Sequence, residues 1–294
     1  KKKKMLYFIN DEEKEMKIAI LMHGITGRAD KYGTGSDLDC SLSHKHFKKH
    51  ILDVNDHVDV FYHTWSKQHE EELKQLYNPK YSIAEEQIHF DFEYTVGGTF
   101  GGQGSFRGIE NLRFHSFFSK WYSAQQANLL KKKYEKENNF KYDIVMLTRF
   151  DLAYLVNFNF DSYDKEEFHV LGPDGKAAGF NDLWFFSKSQ NMDKFCDMYE
   201  YVKDIKHFAH KHTHNHYYCR EYAKKIGLFE KTRYVGHRAW TGSVRDPNGP
   251  EGGPSPTVRH YYGVSERVTV KEDENERTAV KSTNKTITRE QNNG

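Results

Sequence analysis

The chain is 294 residues long, 37% hydrophobic and 15% aromatic, and its 44 Lys and Arg against 42 Asp and Glu leave a formal charge of +2. This length allows one large α/β domain. The balanced charge excludes a general nucleic-acid binder, whose footprint is strongly basic, and no apolar stretch approaches the ~20 residues of a membrane span.

Cys40, Cys196 and Cys219 are odd in number and widely spaced, without a CxxC pair. That argues against a disulfide framework and a thiolate zinc site and fits a reducing compartment. No signal-peptide core follows Lys1 to Lys4, so the expectation is a soluble, cytoplasmic protein.

The apolar run Lys17 to Met22 predicts a first strand that opens into His23-Gly24-Ile25-Thr26-Gly27-Arg28. Glycines there would let backbone amides approach a phosphate or ribose, although ordinary turn glycines are an equal reading. Neither the phosphate loop of ATPases nor the G-x-G-x-x-G fingerprint of dehydrogenases is present. A helix over about Leu42 to Leu52 precedes a second strand, Val58 to Tyr62, which ends in His63-Thr64-Trp65. Ser66 then begins a charged helix that runs to about Leu76. Strand, helix and strand in that order open a parallel sheet. Trp65 reads either as a stacking ring or as a cap on the core.

The glycine-rich segment between Tyr94 and Arg107 predicts a mobile loop, whose Gly97 to Gly104 stretch would permit a lid. Helix returns near Ile109 and continues to about Lys136, with Phe117, Trp121, Ala124 and Asn128 on one stripe and lysines on the other side. Next comes Tyr142 to Leu152, in which the buried run Ile144 to Leu147 leads into Thr148, Arg149 and Asp151. In open α/β sheets ligands bind beyond the carboxyl ends of such strands. A carboxylate there can hold a divalent metal and an arginine a phosphate. A surface ion pair closing the strand is the alternative reading.

Two further strands are expected at Phe168 to Leu171 and Leu183 to Phe186, separated by a turn-rich stretch. Asp182 then falls at the entrance of the second, where it would serve either as a general base beside an acceptor hydroxyl or as a turn cap. Helical spacing follows in Met192 to Val202 and again in Cys219 to Ile226, with Gly227 as a stop. The run His207, His210, His212, His214 and His216 reads as a solvated loop, since no carboxylate or thiolate pattern completes a zinc site. His237, further on, is the better single metal-ligand candidate. A polar tail ends the chain.

The stretches IAILMHGITGR, DVFYHTW, YDIVMLTRFDL and NDLWFFS, in this order, resemble GT-A glycosyltransferases, in particular nucleotide-sugar transferases of large algal DNA viruses and of bacterial polysaccharide clusters. The resemblance covers roughly residues 17 to 240. It implies a single Rossmann-like GT-A domain over 1–264, with a mostly parallel sheet flanked by helices, a nucleotide-binding half at about 17–152, an acceptor half at about 153–264 and a tail at 265–294. Gly24, Thr26, Arg28, His63 and Thr64 would contact base, ribose or phosphate, with Arg149 and Asp151 at the diphosphate and Asp182 as the catalytic base.

The family's metal-binding Asp-x-Asp falls on Arg149-Phe150-Asp151, so its first aspartate is missing here. Asp151, with His237 as second ligand, would have to hold manganese or magnesium. The implied reaction is hexosyl or pentosyl transfer from a nucleotide-sugar, UDP-linked with UDP-xylose as one candidate, to a glycan hydroxyl, in the host cytoplasm if the protein is viral. The alternatives are a non-catalytic glycan-binding or assembly protein and a nucleotidyltransferase.

Overall fold

The computed structural model describes residues 15–26, 40–90, 95–96, 107–154, 156–172, 179–203, 207–208, 215–235 and 257–259. Its strands are β1 (Ile18–Gly24), β2 (Val58–Thr64), β3 (Tyr81–Ala84), β4 (Thr95–Val96), β5 (Ile144–Arg149), β6 (Leu152–Tyr154), β7 (Phe168–Leu171), β8 (Phe185–Ser187), β9 (His207–Phe208), β10 (Thr232–Val235) and β11 (Thr257–Arg259). The helices are α1 (Cys40–His50), α2 (Glu70–Tyr77), α3 (Arg107–Glu137), α4 (Ser189–Cys196), α5 (Met198–Lys203) and α6 (Asn215–Lys225).

Seven strands form the central sheet in the order β10-β7-β8-β5-β1-β2-β3. Every neighbouring pair is parallel except those of β8, which runs antiparallel to both β5 and β7. This is the mostly parallel α/β sheet that the strand-helix-strand pattern predicts.

The central strands are continuous apolar runs because both faces of the sheet are covered. Odd-numbered Ala19, Leu21, Phe61, Val145 and Leu147 pack with Phe117, Trp121 and Ala124 of α3. Even-numbered Ile18, Ile20, Met22, Tyr62 and Met146 pack on the other side with Phe47 of α1 and Leu73 and Tyr77 of α2. The alternation fixes which way each residue at a strand end points.

Several expectations are refined. The second strand continues through His63 and Thr64, and β3 adds a parallel edge that its half-buried residues did not announce. The helical spacing from Met192 to Val202 is broken at Asp197 into two helices. Gly227 does end α6, at φ +75°.

The lysines of α3 are not confined to its outer side. Lys131 is fully buried, and its ammonium donates to Glu135 at 3.1 Å, Ser189 at 2.6 Å and Asp193 at 2.7 Å, which ties α3 to α4. Among the described residues no helix is long and apolar enough to cross a membrane. Arg28, His237, the Gly97 to Gly104 loop and the tail at 265–294 lie outside the described residues.

Candidate functional site

The parallel strands β1, β2 and β5 end together, and the register sets His63 of β2 beside His23 of β1 and His23 beside Arg149 of β5. All three are odd-numbered and point to the side that α3 covers. Helix α3 contributes Ser123 and Lys120 above this row.

Ser123 Oγ lies 2.8 Å from the Gly24 amide, which donates to it, and 2.8 Å from His63 Nδ1. On its far side His63 Nε2 lies 2.9 Å from Glu85 Oε1. Burial lowers the His63 pKa, and the hydrogen bond and charge of Glu85 oppose it. In the neutral form Nε2–H donates to Glu85, which leaves Nδ1 an acceptor, and the single Ser123 hydroxyl proton is shared between Nδ1 and the His63 carbonyl, 3.1 Å away.

The Thr26 amide donates to Ser66 Oγ at 3.0 Å, and Thr64 Oγ1 accepts from the Ser66 amide at 3.1 Å. The amides of Gly24 and Thr26 are therefore both taken by serine hydroxyls. This turn offers a ligand side chains rather than an amide cradle. Gly24 takes φ +98°, a conformation that favours glycine. Trp65 is a core cap: it is buried, stacks on Tyr122 with ring centroids 5.4 Å apart, and donates its indole N–H to the Ser119 carbonyl at 3.3 Å.

Arg149 and Asp151 meet at the end of β5. The Arg149 Nε donates to Asp151 Oδ1 at 2.7 Å while Nη2 reaches Oδ2, a bidentate pair of the kind guanidinium geometry favours. Among the described residues no three His, Cys, Asp or Glu side chains gather in a way that would hold a metal ion. Both Asp151 oxygens are engaged by Arg149, and His237, the second ligand expected, lies outside the described residues.

Asp182 lies just before β8. Because β8 is antiparallel, with Phe185 opposite Leu147, its entrance lies at the same edge of the sheet as the end of β5. A parallel β8 would have put Asp182 at the opposite edge. Its Oδ2 accepts from Lys120 Nζ at 2.6 Å, and its Oδ1 accepts from His216 Nε2 at 2.9 Å. Lys120 also donates to the Asp182 carbonyl at 2.7 Å.

Burial works to raise the Asp182 carboxyl, but the opposing charges of Lys120, His216 and Arg149 prevail and hold it well below the usual carboxylate range. Lys120 is affected the other way: burial lowers its ammonium, with Asp182 opposing and Arg149 adding to the effect. The two shifts differ because Asp182 accepts from Lys120 and His216 and also faces Arg149, whereas Lys120 faces one carboxylate. The short Nζ to Oδ2 contact is that of a charge-assisted bond, so both members are read as ionised.

His216 differs from the solvated loop expected of the histidine run. It stands in the first turn of α6, anchored by the Phe180 amide donating to its carbonyl at 3.0 Å. Of the others in that run, His207 lies in β9, and His210, His212 and His214 lie outside the described residues. Gly179 explains how close the chain comes here. A Cβ at this position would sit 2.3 Å from both the carbonyl carbon and the oxygen of His216 and 2.7 Å from the Tyr217 amide nitrogen. Gly179→Ala is therefore expected to lower stability by about 1–3 kcal/mol, read by chemical denaturation, and to push His216 away from Asp182. An unchanged midpoint would refute that approach.

Gly24, Thr26, His63, Thr64, Arg149, Asp151 and Asp182, read from the sequence as site residues, thus share one edge of the sheet. Lys120, Ser123, Glu85, His23 and His216 join them without having been singled out for it. No protein-family model and no curated protein matches the chain. Among solved structures it is similar to the apo-form glycosyltransferase GlyE of Streptococcus pneumoniae TIGR4, with 9% identity, a TM-score of 0.36 and coverage of 74% of this chain and 44% of that one. A second structure of GlyE gives 10% identity, a TM-score of 0.34 and coverage of 75% and 45%. The chain thus spans less than half the length of these glycosyltransferases.

Proposed function

We propose that the protein transfers a sugar from a nucleotide-diphosphate donor to a glycan hydroxyl. The observation that carries this reading is the cluster of Arg149, Lys120 and Asp182 at the carboxyl ends of parallel strands, the position where α/β sheets bind ligands. Arg149 and Lys120 supply positive charge for a leaving diphosphate, and a buried cation acts more strongly there than in water. In transfer, the bond from the anomeric carbon to the acceptor oxygen forms as the bond to the diphosphate oxygen breaks. The diphosphate leaves with the electron pair.

The acceptor proton passes to the couple of Asp182 and His216, the inverting version of the reaction. Asp182 is ionised but binds protons weakly, so its hydrogen bond to His216 is part of its role. UDP is the donor nucleotide adopted, and a pentose such as xylose is one candidate sugar. A metal would need the Arg149 and Asp151 pair to open. That closed pair equally suits a glycan-binding protein without transfer, which would bind glycan and no nucleotide.

Donor hydrolysis and transfer assays on two variants separate these readings. Arg149→Ala is expected to weaken donor binding and lower turnover at least tenfold, and Asp182→Asn to lower turnover by about 100-fold with donor binding retained. Undiminished turnover in both variants would sink the proposal.

A further inference from the structure

His63 links four elements at the carboxyl edge of the sheet, and the proposed reaction makes no use of it. Its side chain is 0% exposed and that of Glu85 39%, so the histidine is sealed from solvent and the carboxylate is the end that water reaches. Both ring nitrogens are engaged within the protein, by Ser123 at 2.8 Å and by Glu85 at 2.9 Å. Ser123 Oγ also accepts from the Gly24 amide at 2.8 Å, and the Gly24 carbonyl accepts from the Trp65 amide at 3.2 Å. The Glu85 amide donates to the Thr64 carbonyl at 3.0 Å, which anchors the carboxylate to the end of β2.

This network is one proton short. With Glu85 ionised and His63 neutral, the imidazole proton sits on Nε2, and the Ser123 hydroxyl has one proton for two acceptors, Nδ1 and the His63 carbonyl. One further proton on the pair of Glu85 and His63, on either member, places a hydrogen on Nδ1. Ser123 Oγ then accepts from Nδ1 and from Gly24 and donates to the carbonyl, and its hydroxyl has a single orientation.

We infer that Glu85, His63 and Ser123 are positioning residues, a proton-linked strut that sets the turn after β1 for the ligand, and that His63 is not itself a ligand contact. The positioning role rests on the donor reading of the same strand ends, whereas the strut does not. Burial resists the further proton and Glu85 favours it, so its uptake belongs to mild acid, below the ordinary imidazole value of ~6.5. The two groups titrate as a pair. The other groups that face them keep their charge there. His23, in register on β1, is held neutral by burial with Lys120 and Arg149, against the charge of Asp182. Tyr122 of α3, with its ring centroid 5.7 Å from that of His63, has its phenol raised by burial, Glu85 and Tyr199 of α5.

Hydrogen exchange of the Gly24 amide, followed by NMR on the full chain from pH 7.5 to pH 5 together with the His63 ring signals, tests the strut. In the wild type, protection of that amide is expected to rise about tenfold, the worth of one hydrogen bond, over the interval in which His63 titrates. Glu85→Gln, neutral at every pH, and Ser123→Ala, without a hydroxyl, should both lose the rise. A merely structural role would change protection equally at all pH. In isothermal titration with UDP and GDP, Ser123→Ala is expected to weaken the tighter nucleotide about tenfold.

A His63 ring that does not titrate, protection that ignores its titration, or a wild-type rise retained in Glu85→Gln each overturns the strut. Loss of the rise in Ser123→Ala with wild-type nucleotide affinity overturns the positioning role and leaves the donor reading standing. Wild-type protein that shows the rise but binds neither nucleotide overturns the donor reading and leaves the strut. If Ser123→Ala fails to fold, Glu85→Gln, altered at a partly exposed side chain, decides in both measurements.

Discussion

Lys120→Met is expected to destabilise the protein by about 3–5 kcal/mol, the usual consequence of removing one member of a buried ion pair. Both side chains of the pair are largely buried, at 10% and 12% exposure, so solvent does little to screen the loss. Methionine fills much of the volume of lysine, and the effect therefore reports the charge left on Asp182 rather than a cavity. His216 and Arg149 still face that carboxylate, which places the expected value near the lower end of the range.

The dependence on pH identifies the cause. In the wild type the Asp182 carboxyl is held below its usual value, so its contribution is fully present above the ordinary carboxylate pKa of ~3.9 and is lost as pH falls through the still lower folded value. Without Lys120 the carboxyl takes up a proton at higher pH, and the uncompensated charge disappears. Denaturation curves of wild type and Lys120→Met should accordingly differ widely at pH 7 and converge as pH falls below ~3.9 toward the lower folded value of the wild-type carboxyl. A gap that stayed constant over that interval would mean that the pair does not govern stability at this site.

The second large effect is at Lys131, whose ammonium is buried among Glu135, Ser189 and Asp193. Lys131→Met is expected to lower stability by about 3 kcal/mol, or the melting temperature by roughly 6–12 °C. Part of the loss is offset by Lys141, which also bonds Glu135 at 2.6 Å and lies 3.6 Å from Asp193. The residue stands roughly 16 Å farther along α3 than Lys120, at 1.5 Å of rise per residue. Donor affinity below the melting transition should therefore be unchanged, in contrast with Lys120→Met, which should lose both. Equal losses of affinity in the two variants would show that Lys120 acts only through the fold.

The contrast between these two lysines also shows what was legible in the sequence. Strands β1, β2 and β5 could be read because helices cover both faces of the sheet and make their residues uniformly apolar, and the polar residues just beyond those runs mark the ligand edge. Lys120 and Lys131 were not legible as buried. A lysine in an amphipathic helix is normally solvated, and what reverses that is acceptors on other elements, Asp182 for one and Asp193 with Ser189 for the other, more than fifty residues away in the chain; Glu135, four residues on from Lys131, is an ordinary helical neighbour.

One signal was available: Lys131 stands seven residues after Ala124 and three after Asn128, on the apolar stripe itself. Glu85, Ser123 and His216 had no such signal, because each matters through a partner on another element. Asp182 was assigned to the correct loop, but its place beside Arg149 depends on the antiparallel course of β8, which an apolar run of three or four residues does not reveal. The half-buried β3 was missed for a related reason, since an edge strand shows neither a continuous run nor clean alternation.

The central claim is that the edge formed by β1, β2 and β5 under α3 binds a nucleotide-sugar. A thermal-shift series of wild type and Arg149→Ala against nucleotide sugars, nucleoside triphosphates and free glycans, each with and without manganese, tests it most directly. Only a ligand that binds the folded state raises the transition, by about 2.7 kcal/mol at 100 times its dissociation constant. The account predicts that a nucleotide-sugar shifts the wild type more than any triphosphate or glycan does, and that Arg149→Ala abolishes most of the shift. A wild type stabilised by a triphosphate or a free glycan alone, or by no nucleotide-sugar at all, would contradict it.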